Sequence, residues 1–336
     1  MKEQINKVKT QGRTSLIDGI LMTDFSGSGI EFNFNGSGDI IVVFSASQLT
    51  EGDEGGCYFS VFVDGEKMPR DFCHITAQGD TYFKVVYGLA DGEHNIKIHR
   101  QTESERATVG IKKIIANGEI TAPEKSDLYI EFVGDSITTA YGNLALNSQS
   151  VSSPSMPLYQ DVTQGYAYLT AMALGADYSI VARQGIGASV GYQPISMPTV
   201  YPLLRHPKDV NTPYSFTTQP DIVVIGLGTN DSLTYNNPDI AKPVKTKEDV
   251  KQGFKDMISL VRTKNPNAKI VWIYGMMLNG VNDLVIQAVS EMGGSEKGIY
   301  SKRLTANTQG GNGHPYYTGH SVMATELTDF LRSLIN

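Results

Sequence analysis

A change of rhythm near residue 122 most constrains how this 336-residue chain can fold. Before it, apolar and polar residues alternate at period two. After it, short β-branched runs alternate with stretches of helical spacing. Ile30-Glu31-Phe32-Asn33-Phe34 is the clearest case of the first pattern and sets Ile30, Phe32 and Phe34 on one strand face. Asn35-Gly36-Ser37-Gly38-Asp39 reads as a turn, followed by a buried strand over Ile40 to Phe44. Further strands are expected at Tyr58 to Val63, Tyr82 to Tyr87, His94 to His99 and Val109 to Ile115, separated by the turn dipeptides Asp64-Gly65, Asp91-Gly92 and Asn117-Gly118. Without helical periodicity, residues 1–122 predict an all-β sandwich of jelly-roll type.

Ala122-Pro123-Glu124-Lys125-Ser126 opens the second region, 127–336. Leu128 to Val133, Tyr178 to Ala182, Asp221 to Leu227 and Lys269 to Tyr274 are apolar runs of strand length. Val250, Phe254, Met257, Ile258 and Val261 recur at helical spacing, as do Val322, Met323, Leu327, Phe330, Leu331 and Leu334. Strands alternating with helices predict an α/β domain with three layers, helices covering both faces of a parallel sheet.

Composition narrows the partners. With 28 Lys and Arg against 35 Asp and Glu, the net charge is −7, and no basic run compensates, so a nucleic-acid partner is not expected. No apolar run approaches the roughly 20 residues that span a bilayer. The first residues lack the apolar core of a leader peptide, which points to the cytoplasm, although a chain trimmed of its leader would read the same. Cys57 and Cys73 share no metal-ligand spacing, and a bridge between them would be a single staple in a large protein.

Four segments at the ends of predicted strands carry chemistry. Gly134-Asp135-Ser136-Ile137-Thr138 follows the first strand of the second region and displays a serine where parallel sheets bind ligands, with room for a helix to start just after it. Ala182-Arg183-Gln184-Gly185-Ile186-Gly187-Ala188 follows the second, Gly226-Leu227-Gly228-Thr229-Asn230-Asp231 ends the third, and Gly313-His314-Pro315-Tyr316-Tyr317 precedes the last helix. Each alone reads as a turn or a cap. Together they supply a nucleophile, amide donors for an oxyanion and an imidazole base.

This set resembles the SGNH, or GDSL, hydrolases, whose four blocks match Gly134-Asp135-Ser136, the glycine of Gly185-Ile186-Gly187, Gly228-Thr229-Asn230-Asp231 and His314-Pro315. Asp24-Phe25 with Ser26 to Phe32, and Trp272-Ile273-Tyr274-Gly275-Met276-Met277, are similar to the family-two carbohydrate esterases, which pair a jelly roll with an SGNH domain and deacetylate xylan and mannan. The resemblance implies Ser136 as nucleophile and His314 as base, with an oxyanion hole of the Ser136 N–H, the Gly187 N–H (Gly185 as the alternative) and the Asn230 amide. It implies no metal or cofactor, and an acetylated oligosaccharide or polysaccharide as partner. Other readings are a lipid esterase or thioesterase of the same superfamily, and a carbohydrate-binding protein with a decayed site.

One departure stands out. Where relatives carry an Asp three or two residues before the histidine, this chain has Gly311 and Asn312, and no carboxylate precedes His314 until Glu296. A Ser–His dyad is then expected, with Asn312 or a backbone carbonyl orienting the imidazole. Tyr141, Tyr192, Tyr316 and Tyr317 are candidates for touching a sugar, and Asn143 to Thr163 for shaping the cleft. Asp135 and Asp231 are expected to brace the loops, and His320 and Trp272 to serve structure. His94 and His99 are expected to face solvent, and His74 and His206 to lie in loops.

Overall fold

The computed structural model describes residues 1–49, 56–69, 73–103, 107–149, 151–152, 155–205, 212–277 and 280–335. The chain forms two compact units. The first comprises Met1–Lys125 together with two excursions of later sequence, Ser152–Thr163 and Leu204–Thr212, and the second comprises the remainder.

The first unit holds an antiparallel sheet of nine strands: β1 Lys9–Gln11, β2 Thr14–Ile17, β3 Ile20–Thr23, β4 Gly29–Leu49, β5 Cys57–Val63, β6 Glu66–Lys67, β7 His74–Ile75, β8 Gly79–Arg100 and β9 Ala107–Thr121. Ile30, Phe32, Phe34, Ile40, Val42 and Phe44 are buried with Val85, Ile96, Ile98, Val109 and Ile111 in one core, as the alternation requires. Asp64-Gly65 turns the chain between β5 and β6.

The other expected turns are corrected. Gly36, Gly92 and Gly118 lie inside β4, β8 and β9, which therefore run on for 21, 22 and 15 residues. Gly36 is opposite Gly92 on one side and Gly118 on the other, next to register shifts in both ladders. A Cβ on Gly36 would come within 2.6 Å of the Asn117 carbonyl and 2.8 Å of the Phe34 ring. These glycines let three neighbouring strands approach and bend together, which in sequence looks like a turn.

Two histidines are also corrected. His99 is only 2% exposed at the end of β8, and burial lowers its pKa to about 3. His74 lies in β7, stacked on Tyr58 at 3.8 Å. His206 lies outside the described residues. Cys57 and Cys73 are buried, free thiols.

The second unit is built on five parallel strands in the order β11-β10-β14-β15-β16: β10 Tyr129–Gly134, β11 Asp177–Ala182, β14 Ile222–Gly226, β15 Lys269–Tyr274 and β16 Ile299–Arg303. Two short strands, β12 Leu203–Arg205 and β13 Thr212–Pro213, precede β14. Every residue of β14 is buried, as expected of a strand covered on both faces. The helices are α1 Tyr166–Ala173, α2 Met197–Val200, α3 Thr229–Thr234, α4 Lys247–Lys264, α5 Asn282–Glu291 and α6 Tyr317–Ile335.

The chain steps from β10 to β11, returns past β10 to β14, and continues through β15 to β16. Right-handed crossovers therefore put α1 on one face and α4 and α5 on the other, with α6 packed on α1. Thr246 and Asp249 close a capping box at the start of α4 and fix where that helix begins. Val250, Phe254, Met257, Ile258 and Val261 are its buried stripe, and the Trp272 indole N–H donates to the Leu227 carbonyl within the core. The reversal of direction leaves a crevice beyond the carboxyl ends of β10 and β14.

Candidate active site

The crevice is where the motifs converge. Gly134, Ala182 and Gly226 lie level at the ends of β10, β11 and β14. A Cβ on Gly134 would fall on the Thr138 side chain, whose hydroxyl meets the Tyr166 hydroxyl at 2.8 Å. Glycine is thus required where the chain leaves the strand and doubles back through residues 135–141. No helix starts at Ser136, in contrast to the expectation. Tyr141 N–H closes the segment on the Ser136 carbonyl, and Ala140 takes a positive φ of 59°.

Three backbone bonds stitch the loop of His314 to the segment after Ser136. Gly311 N–H donates to the Gly142 carbonyl, Asn147 N–H to Gln309 and Tyr317 N–H to Asn143. They bring together side chains 178 positions apart, and His314 Nε2 lies 2.9 Å from Ser136 Oγ. Tyr141 packs on the imidazole with ring centroids 4.8 Å apart. Burial lowers the pKa of His314, while the backbone of Gly311 and Asn312 beside it acts to raise it, and burial is the larger effect. The ring is therefore neutral at pH 7 and can accept a proton at Nε2.

His314 Nδ1 is buried and makes no hydrogen bond of ordinary geometry. Asn312 takes a left-handed conformation with φ 54° and turns its backbone, rather than its amide, to the imidazole. The expected side-chain role of Asn312 is corrected accordingly. Asn312 itself is part of the cavity lining.

Asn230 and Asp231 divide their work at the start of α3. Asp231 is buried, and its carboxylate accepts from the N–H groups of Ala188, Ser189 and Val190 at 2.7–3.0 Å. That cradle holds the loop after β11 in shape. Burial raises the pKa of Asp231 and the three N–H groups oppose the rise. Asn230 Nδ2 donates to the Ile186 carbonyl at 2.8 Å and approaches Asp135 Oδ2 at 3.3 Å.

A cavity of about 390 Å³ opens over these groups. It is lined by Ser136, Asn230 and His314, by Gly185, and by Tyr141 and Tyr192. Gly185 rather than Gly187 forms its wall. Gly187 is buried at a point where a Cβ would strike the Val190 carbonyl, so its packing position is fixed by the Asp231 cradle. Tyr316 and Tyr317 are not brought into the lining; their rings meet each other at 4.5 Å. No described residue of 143–163 lines it either. Gln184, Gln193, Thr229, Leu233 and Met277 do, and sequence reasoning did not single them out. Thr229 and Leu233 carried a signal, being one helical turn apart beside Asn230.

His320 is buried in α6, where its Nδ1 accepts from the Tyr166 N–H at the start of α1. Burial lowers its pKa to about 3, in keeping with a structural role. Among the described residues, no cluster of His, Cys, Asp and Glu could hold a metal ion, and no helix is long and apolar enough to cross a membrane.

A hydroxyl held on a neutral imidazole, with amide donors across the same cavity, is the arrangement that acyl transfer through a serine requires. Comparisons with known proteins agree with that chemistry. Residues 132–307 match the GDSL-like lipase/acylhydrolase family, and residues 10–123 match the carbohydrate esterase 2 N-terminal module. The chain is 31% identical over 324 residues to the cellulase/esterase CelE of Acetivibrio thermocellus, covering 90% of this chain and 36% of that protein. It is 28% identical over 223 residues to the acetylxylan esterase/glucomannan deacetylase of Cellvibrio japonicus, covering 62% of this chain and 60% of that one. The chain thus spans about a third and three-fifths of the two curated relatives. A solved family-two carbohydrate esterase from Clostridium thermocellum, in complex with cellohexaose, superposes with a TM-score of 0.84 at 28% identity, covering 98% of this chain and 99% of the other.

Proposed function

We propose, from the premise that this chain belongs to the GDSL-like lipase/acylhydrolase family, that it removes O-acetyl groups from hemicellulose, either mannan or xylan, or from its oligosaccharides. The observation that carries the proposal is the 2.9 Å contact between Ser136 Oγ and His314 Nε2 inside the cavity. The name of the C. japonicus relative supplies the substrate class.

Ser136 Oγ attacks the acetyl carbon and passes its proton to His314 Nε2. The oxyanion forms beside the N–H groups of Ser136 and Gly185 and the Asn230 amide. Collapse expels the sugar oxygen, which takes the proton back from His314 and leaves acetyl-Ser136. Water, deprotonated by the same imidazole, then releases acetate. Among the described residues no carboxylate reaches the ring, and the backbone carbonyls of Gly311 and Asn312 beside it favour the Nδ1–H tautomer. They fix its direction without offering a full charge to the imidazolium. The exposed ring of Tyr192 offers an apolar face to a pyranose, and Gln184 and Gln193 offer amides to its hydroxyls.

A second reading, glucan binding without turnover, draws on the cellohexaose held by the C. thermocellum structure. One experiment separates the two: acetate release from acetylated mannan and xylan oligosaccharides by the wild type and by Ser136→Ala. Release by the wild type alone is the expected result, and the relative rates rank the substrates. Absence of release from every acetylated sugar, with cellohexaose still bound, overturns the esterase reading in favour of the second.

A further inference from the structure

Asp135 stands between the two halves of the oxyanion machinery, and the reaction steps above do not use it. It is fully buried directly before Ser136. One carboxylate oxygen, Oδ1, accepts from the Ile137 N–H at 2.9 Å, within the segment that displays Ser136. The other, Oδ2, faces Asn230 Nδ2 at 3.3 Å. Asn230 Nδ2 carries two N–H bonds, and one is spent on the Ile186 carbonyl. The second goes to Asp135 Oδ2 over the longer 3.3 Å contact, the one of the two that an oxyanion could share.

We infer that Asp135 is a positioning residue, whose carboxylate spans the Ile137 N–H and the Asn230 amide and so fixes the oxyanion donor relative to the nucleophile. This rests on the esterase reading and deepens it. No other acceptor on the segment from 134 to 138 is seen to reach Asn230 among the described contacts. Both ends of the span must be accepted, and only a carboxylate can accept at both oxygens. Asparagine at this position accepts at one end and presents a second N–H to the other.

The groups that face Asp135 decide when it is ionised. Asp231 on α3 and the Tyr166 hydroxyl on α1 are the titratable groups that act on it. Burial pushes the Asp135 pKa up to about 7; the Ile137 N–H opposes the rise and the charge of Asp231 adds to it. Protonation removes one acceptor, so the amide is held above that pKa and loosened below it. His314 must also be neutral, and its pKa lies below the ordinary 6.5. The acid limb of kcat in the wild type therefore follows Asp135, the higher of the two.

The test is Asp135→Asn, alone and combined with Asn230→Ala, assayed on 4-nitrophenyl acetate from pH 5 to 9, with thermal unfolding of each variant. Expected for Asp135→Asn are a fall in kcat of about tenfold to a hundredfold with KM changed less than about twofold, and an acid limb displaced to lower pH. Its melting temperature should be unchanged or raised, because a buried charge next to Asp231 is removed. In the Asn230→Ala background the same change should cost almost nothing further, since the two act as one unit. A fall in kcat that is fully additive in the double variant, or an unmoved acid limb, overturns the inference. A wild type that cleaves no ester at all overturns the esterase reading instead, so the two failures are distinguishable.

Discussion

Asn230 donates its amide to the Ile186 carbonyl and faces Asp135, and its neighbour shapes the loop it meets. The Asp231 cradle shapes the loop that carries Gly185 and the Ile186 carbonyl, and that carbonyl then aims the Asn230 amide. Replacing Asn230 by alanine removes one proposed oxyanion donor and leaves the cradle intact. The expected cost is about 10²–10³ in kcat with little change in KM, checked by initial rates on a soluble acetyl ester. At this scale the sequence was largely legible. Ser136, Asn230 and His314 stand in compact motifs, because each is delivered by a turn whose glycines and polar residues are local. Gly185 against Gly187 was not legible. That choice depends on Val190 and Asp231 filling the space around Gly187, and Asp231 is 44 positions away in sequence.

At the scale of elements, the same residue type misled and informed. Glycine between two apolar runs reads as a turn, but Gly36, Gly92 and Gly118 are opposed across three strands and permit a shared bend. β8 therefore runs through to its far end, where His99 is enclosed. This enclosure predicts a pH effect. The unfolded chain takes up a proton on His99 below about pH 6.5, whereas the folded chain resists until about pH 3. The stability of the first unit thus falls on acidification across that window, by about tenfold in its unfolding constant per pH unit from this group. His99→Gln, compared with wild type by urea unfolding at pH 7.5, 5.5 and 4.5, should lose less on acidification than the wild type does. In the second unit the four expected strands and the α4 stripe were legible because β-branched runs and a 3.6-residue period are local. β16, α1 and α5 were missed: β16, Ile-Tyr-Ser-Lys-Arg, lies at the sheet edge with four of its five residues short of full burial.

For the whole molecule, the excursions Ser152–Thr163 and Leu204–Thr212 count most, because they belong to the first unit although the sequence places them within the second region. Lys67 pairs with Asp161, and Arg205 pairs with Asp24, both within that unit. Asp24 is 1% exposed and Arg205 9% at the side chain, so neither charge has water to fall back on. Arg205→Leu is expected to destabilise the first unit by about 3–5 kcal/mol, with much of it recovered in Asp24→Leu/Arg205→Leu; urea unfolding of both variants checks it. The Asp24-Phe25 motif was visible in sequence as a mark of resemblance, but its ionic partner, 181 residues on, was not. The sequence by itself determined the two architectures, the strands of the parallel sheet and the residue types that meet at its carboxyl edge. Periodicity, turn chemistry and motif spacing act over a few neighbouring residues, where backbone geometry dictates the outcome. The tertiary structure alone decided which glycine walls the cavity, what faces the imidazole, which histidines lose their water and which unit each excursion joins. Those outcomes depend on packing between residues distant in the chain, and no local pattern encodes what will fill the space around a side chain.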